Sequence, residues 1–279
     1  MNALEIKNLT KRYEGFTLDN INLVLPSGTI MGLVGENGAG KSTTIKLILD
    51  VIEKDEGTVF ILNKNNKENI KDIKNDIGVV LDEVGIPDCL NTDNVAKMMS
   101  MTFARWDNDM FYSLLNKFNI PSGKQFKDFS RGNKMKLGIA IAMSHNAKLL
   151  ILDEATSGLD PIVRDEVVLM LNEFTRQEDH SILISSHIVS DLEKLCDYIA
   201  FIHKGKLLLC EEKDKLLNEY GMINLSKEEY DKFNKDNILH ISENNYGVKV
   251  VAKKEVLNGY DILPIGIEEL FVLMVKEDR

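Results

Sequence analysis

The segment Gly35-Glu36-Asn37-Gly38-Ala39-Gly40-Lys41-Ser42-Thr43 carries the residue types that hold a polyphosphate. Its spacing is G-x-x-x-x-G-K-S, with Gly35 and Gly40 ahead of Lys41 and Ser42. Glycines let successive backbone N–H groups turn inward toward phosphate oxygens. A helix starting here adds its positive N-terminal end. On this reading Lys41 reaches the β- and γ-phosphates of a nucleoside triphosphate, and Ser42 ligates Mg2+. The competing reading is an ordinary glycine-rich turn. A second group follows at Lys148-Leu149-Leu150-Ile151-Leu152-Asp153-Glu154, four apolar residues ending in two carboxylates. Asp153 at a strand end can hold Mg2+ through water, and Glu154 can orient and polarise an attacking water. Adjacent acids also simply end strands at a solvent edge. A phosphate loop earlier in the same chain favours the chemical reading.

These groups need elements to hold them in place. Thr29-Ile30-Met31-Gly32-Leu33-Val34 reads as a short apolar strand running into the glycine loop. Ile45, Ile48, Leu49 and Ile52 then recur at helical spacing. The loop thus lies between a strand and a helix, as the motif requires. Further strands are predicted at Gly57–Leu62, Ile77–Leu81, Leu149–Leu152 and Ile182–Ile184. Residues from about Asn91 to Asn119 read as helical. Another helix starts after Ser130, a plausible N-cap. Val163, Val167, Met170, Leu171 and Phe174 mark an amphipathic helix, and Val189, Leu192 and Leu195 mark the next. Ile199–Ile202 and Leu207–Cys210 flank a turn and predict a hairpin. Strands alternating with helices predict an α/β domain with a mostly parallel sheet. The alternation Ile21, Leu23, Leu25 and the late hairpin add an antiparallel part. From about Asp214 charged and Asn-rich segments surround short apolar pieces, with a final helix on Ile267, Leu270, Phe271 and Met274.

Composition narrows the classes. Hydrophobic residues at 44% and charged residues at 28% of 279 support a packed soluble core. No apolar run approaches the roughly 20 residues of a membrane span, and the N-terminus lacks the pattern of a signal peptide. A formal net charge of −10 argues against a nucleic-acid surface. Cys89, Cys196 and Cys210 form no CxxC pair, so reduced thiols are expected.

Taken in order, the motifs resemble those of the ATP-binding cassette family over about residues 1–215. Asp153-Glu154-Ala155-Thr156-Ser157-Gly158-Leu159-Asp160 looks like the family's acid pair and D-loop, with Asp160 as its aspartate. Ser185-Ser186-His187 stands where the family keeps a switch histidine, which implies that His187 contacts the γ-phosphate and Glu154. Tyr13 matches the aromatic that stacks on adenine, although an aromatic there could equally be core. Phe129-Ser130-Arg131-Gly132-Asn133 resembles the signature L-S-G-G-Q, keeping Ser130 and Gly132. In the family that segment caps the γ-phosphate held by an opposite subunit. Arg131 and Asn133 depart from it, as drift or as a change in rate or specificity. Asp82 falls where the family has its Q-loop glutamine; a carboxylate there could bind Mg2+ but adds negative charge near the phosphates. The implied fold is a P-loop ABC ATPase with an antiparallel β subdomain, a helical subdomain at about 84–147 and a small α+β C-terminal extension at 216–279.

The resemblance implies ATP and Mg2+ as ligands, and a dimer with two composite sites, either a homodimer or a heterodimer with a paralogue. It leaves two functional classes open. One is the motor of a transporter, peripheral on the cytoplasmic face of the membrane and coupled to a separate permease. The methionines and aromatics of Met98–Tyr112 could receive that permease or be plain core. The other is a soluble cassette ATPase in translation or DNA repair. A single P-loop, and no sustained heptads between P-loop and signature, favour the transporter. Within transporters, Phe129–Leu137 and Ser181–His187 resemble Gram-positive exporter cassettes, some of which move antimicrobial or cytolytic peptides such as phenol-soluble modulins. The tail reads as a packing appendage or a regulatory extension.

Overall fold

A computed structural model describes residues 1–244 and 247–277. The chain opens with a long hairpin, β1 (Asn2–Tyr13) and β2 (Phe16–Pro26), then β3 (Ile30–Val34) and α1 (Lys41–Ile48). Next come β4 (Glu56–Ile61), β5 (Lys64–Asn65), α2 (Ile70–Asp76) and β6 (Ile77–Val80). Three helices follow: α3 (Thr92–Thr102), α4 (Asn108–Lys117) and α5 (Arg131–Met143). The α/β alternation then resumes with β7 (Leu149–Asp153), α6 (Pro161–Phe174), β8 (Ser181–Ser186), α7 (Val189–Leu195) and the hairpin β9 (Tyr198–His203) with β10 (Lys206–Glu212). The tail holds α8 (Lys213–Glu219), β11 (Tyr220–Leu225), α9 (Lys227–Lys232), β12 (Ile238–Asn244), β13 (Gly247–Lys253) and α10 (Ile267–Glu277).

Three sheets result among the described residues. The first is antiparallel, in the order β2-β1-β4-β5, and the second runs β10-β9-β3-β8-β7-β6. In the second, β6, β7, β8, β3 and β9 are parallel and only β10 is antiparallel. Every residue of β3, β7 and β8 is buried. That accounts for their continuous apolar runs, since a parallel strand is covered on both faces. The functional segments all leave this sheet at the C-terminal ends of β3, β6, β7 and β8, where ligands of open α/β sheets bind.

The structure departs from the sequence expectation in two helices. Residues 91–119 form two helices rather than one. The first ends at Thr102, where Phe103 turns extended, and Asp107 caps the second: its side chain accepts from the Met110 N–H at 2.9 Å, and its own N–H donates to the Ser144 carbonyl at 2.7 Å. Helix α1 stops at Ile48, before Ile52, because Asp50 turns into the left-handed region at φ 54°. Ser130 does cap α5, accepting from the Asn133 N–H at 3.2 Å. The hairpin β9–β10 forms as the turn predicts.

The tail folds on a third sheet, β11-β13-β12, with a small core of its own around Phe233, Val250 and Leu257. Its last helix returns to the main body. Ile267 and Leu270 are buried there, and Phe271 packs on Phe201 with ring centroids 5.0 Å apart. Helix α8 runs straight across residues 215 and 216. The three cysteines are free thiols. Burial pushes the Cys196 thiol far above its ordinary value and the Cys210 thiol up to about 11.

Candidate active site

Strand β3 delivers the chain into the glycine loop, and α1 begins at Lys41. Gly40 sits at φ 115°, a conformation open to glycine. A Cβ there would lie 2.8 Å from Leu18 Cδ1 of β2, so a side chain at this position would force Leu18 to shift. The Gly205 N–H bonds the Ala39 carbonyl at 2.9 Å, tying the loop to the β9–β10 turn. A cavity of about 540 Å³ opens over the loop. Asn37, Gly38, Gly40, Lys41, Ser42 and Thr43 line it from the loop side. Asp82, Arg131, Glu154, Ser157 and His187 line it from the other elements.

Lys41 is only 5% exposed, and its ammonium is fully engaged. It donates to the Gly35 carbonyl at 2.8 Å and to the Glu36 carbonyl at 3.2 Å, and pairs with Glu154 Oε1 at 3.2 Å. The other carboxylate oxygen of Glu154 lies 2.7 Å from His187 Nδ1. With the carboxylate ionised, Nδ1 carries the proton and donates. Lys41, Glu154 and His187 thus form one connected chain across the cavity floor.

Glu154 has φ 54°, a left-handed backbone that costs a non-glycine residue about 1–3 kcal/mol. Two bonds to β8 hold it there. The Glu154 N–H donates to Ser185 Oγ at 3.0 Å and lies 3.2 Å from the Ser185 carbonyl. The same hydroxyl donates to Asp153 Oδ1 at 2.5 Å. Parallel register sets Asp153 opposite Ser185, so one serine fixes both acids of the pair. Ser185 is a site residue that motif reading missed. The sign of it lies in strand register, which local sequence does not carry.

Asp153 is buried behind the cavity wall. Its carboxylate and the Ser42 hydroxyl are hard oxygen donors, as Mg2+ prefers. Among the described residues no group of three or more His, Cys, Asp or Glu could hold a metal ion. Mg2+ takes one or two protein ligands and completes its shell with phosphates and waters.

The remaining candidates lie elsewhere. Gly35 and Ala39 form the back of the loop. Tyr13 is exposed and off the cavity wall, with the Lys11 ammonium 5.6 Å from its ring. Phe16, its partner in the β1–β2 register, lines the cavity instead. Asp160 caps α6, accepting from the Val163 N–H at 3.1 Å. Ser130 and Gly132 are off this wall as well. Gly132 is buried against α6, and a Cβ there would sit 2.6 Å from Val163 Cγ1. Asp82 lies on the rim and accepts from Arg131 Nη2 at 2.8 Å. Its carboxylate is therefore shared with a cation.

Comparison with known proteins gives concordant matches. Residues 18–157 match the family described as ABC transporter. The lantibiotic transport ATP-binding protein SrtF of Streptococcus pyogenes is 37% identical over 214 residues, covering 76% of this chain and 91% of that protein. The bacitracin transport ATP-binding protein BcrA of Enterococcus faecalis is 35% identical over 209 residues, covering 74% of this chain and 68% of that protein. The fold is similar to a solved ATP-binding subunit of an ABC transporter, with a TM-score of 0.69 and 25% identity, covering 77% of this chain and 91% of that one.

Proposed function

The chain belongs to the ABC transporter family as one of its ATP-binding, ATP-hydrolysing subunits, and we propose that it drives peptide export through a separate membrane permease. The observation that carries the catalytic part is the chain Lys41–Glu154–His187 across a phosphate-sized cavity. Lys41 is held by loop carbonyls and by Glu154. The triphosphate offers Lys41 better partners, and its arrival frees one oxygen of Glu154 to accept a hydrogen bond from water. His187 keeps the other oxygen, fixing the carboxylate between water and γ-phosphate. Water then attacks the γ-phosphorus, the bond to the β-phosphate oxygen breaks, and Glu154 takes the water's proton. Such a transfer needs positioning and charge neutralisation more than covalent chemistry. Ser42 and Asp153 are the residues that would hold Mg2+, which when bound supplies further neutralisation of the phosphates. Phe16, with Tyr13 beside it, is placed to flank the base.

Ser130, Gly132 and Asp160 are not part of this cavity's wall. Ser130 caps α5 and Asp160 caps α6, both at exposed helix starts. This supports a dimer, of two copies or with a paralogue, in which Ser130 and Gly132 close on the nucleotide of the opposite subunit. The catalytic unit is residues 1–215, with its helical part at 84–147, and residues 216–279 are an extension that packs on it through α10.

No helix among the described residues is long and apolar enough to cross a membrane, which supports a peripheral place on the cytoplasmic face beneath a permease. An apolar groove of about 720 Å³, lined by Val79, Val84, Ile86, Met99 and Phe103, is the docking place proposed for it. Peptide cargo is supported by the names of the relatives, which concern lantibiotic and bacitracin transport. A translation or DNA-repair role finds no support in them, and the net charge of −10 disfavours nucleic acid. The test is purification of the tagged chain from detergent-solubilised membranes. A multi-span membrane protein in stoichiometric amount is the expected companion. Recovery with ribosomes or DNA alone would overturn the transport reading.

A further inference from the structure

Asp82 and Arg131 lie 49 positions apart in sequence and meet at the rim of the cavity. Arg131 is the first residue of α5, and no acid occupies that helix's first turn. The positive end of a helix is an unfavourable place for a cation. Arg131 therefore needs an anion from outside its own helix, and Asp82 supplies it at 2.8 Å. The guanidinium also lies against the D-loop. A Cβ on Gly158 would come within 2.9 Å of Arg131 Nη1, so that glycine leaves room for the side chain. One arginine thus touches the segment after β6 and the segment after β7 while opening α5.

The charge on the cavity wall gives this contact a consequence for the ligand. The lining acids are Glu36, Asp82 and Glu154, against the permanent cations Lys41 and Arg131. With His187 neutral the wall carries one net negative charge, and without Arg131 it carries two. A polyphosphate entering the cavity meets Asp82 at the mouth. Paired with Arg131 that carboxylate is cancelled; unpaired it repels the ligand.

We propose that Arg131 is a positioning residue that acts through Asp82, holding the carboxylate neutralised so that the cavity admits a nucleotide. This rests on the nucleotide reading above. Asp82 and Arg131 are 57% and 54% exposed, so the pair is weak in the open chain and easily screened by salt. Its effect is on the anion that enters rather than on stability.

The test is a binding titration of a fluorescent ATP analogue, in EDTA, on the purified full chain and on Arg131→Ala, Asp82→Asn and the double variant. Arg131→Ala should weaken binding by about fivefold at low salt, and the loss should fade at high salt. Asp82→Asn should bind at least as tightly as the original. The double variant should recover to within about twofold of it, because removing the carboxylate removes the need for the cation. Arg131→Lys, which keeps the charge, should lose less than Arg131→Ala. If Arg131→Ala costs as much in the Asp82→Asn background as alone, or costs nothing at low salt, the proposal fails. If the original chain does not bind the analogue at all, the nucleotide reading fails instead.

Discussion

The two halves of the active site are built to opposite specifications. In the P-loop half the two central charged groups, Lys41 and Asp153, are buried, and each has a protein partner. The signature half is wet, with Ser130 and Arg131 exposed at the start of α5. The first half sits on a sheet whose strands are buried on both faces, the second on helices joined to that sheet by loops. A preorganised half can hold fixed charges where transition-state charge develops. An exposed half costs little to leave open and is free to meet a second surface. On the proposed reading, the difference separates the chemistry, held by the buried half, from its control, left to the exposed half.

The largest expected effect tests the preorganised half. Glu154→Gln keeps the shape of the side chain and removes the charge that polarises water. ATP turnover should fall by about 10²–10³-fold, while ATP binding survives. Losing the Lys41–Glu154 attraction also leaves Lys41 freer for phosphate, so binding should be no weaker. Steady-state phosphate release and nucleotide titration on one preparation check both halves of this expectation. Near-normal turnover would remove Glu154 from the water-activating role.

How much of this was legible in sequence differs between the halves in the same way. The P-loop, the acid pair and His187 are local strings, and each string lands at the end of a strand that its apolar run predicts. What joins them is not local. Ser185 bonds Asp153 and Glu154 because β7 and β8 run parallel in one register, and nothing in either string states that register. Phe16 lines the cavity in place of Tyr13 because of how the hairpin lies on the loop. On the signature side the Arg131–Asp82 contact joins segments far apart in sequence, so each residue reads singly as an oddity. The break between Phe103 and Asp107 does not show in the local pattern because apolar residues continue through it at helical spacing; the Asp107 cap and the Ser144 carbonyl, 37 residues on, stabilise the interruption. The tail gave its final helix but not its sheet, since charged residues on exposed faces blur the strand pattern.

A middle-sized effect is expected where the exposed half is seated on the rest. Gly132 brings α5 against α6, and its missing Cβ is what lets Val163 approach. Gly132→Leu must push the helices apart at overpacking costs of about 1–3 kcal/mol. The signature helix should then be displaced, and Arg131 with it, while Lys41, Glu154 and His187 keep their places. Denaturant midpoints should fall, hydrolysis should fall with them, and nucleotide binding to the isolated chain should stay within a small factor. Loss of binding in a folded Gly132→Leu protein would mean that the halves are not separable.

The smallest effect concerns the link between the sheet and the helical part. Asp76, at the end of α2, pairs with Lys64 of β5 at 2.9 Å and with Arg105, between α3 and α4, at 2.7 Å. Burial alone would push this carboxyl up, but hydrogen bonds from Lys64 and Arg105 outweigh it and hold the group below the ordinary carboxylate value. A carboxylate depressed on folding stabilises the fold above its unfolded value, about 3.9, and loses that contribution as pH falls through the folded value. Both cations are more than a third exposed, so solvent screening limits the link to about 1 kcal/mol or less. Asp76→Asn should therefore lower unfolding stability by up to that amount at neutral pH. The gap between the two proteins should close as pH falls through the folded value of Asp76, below which both carry an uncharged side chain. Urea unfolding across pH measures it. A gap that persisted in acid would assign the loss to shape at the end of α2, and the connection between the halves would then be packing rather than charge.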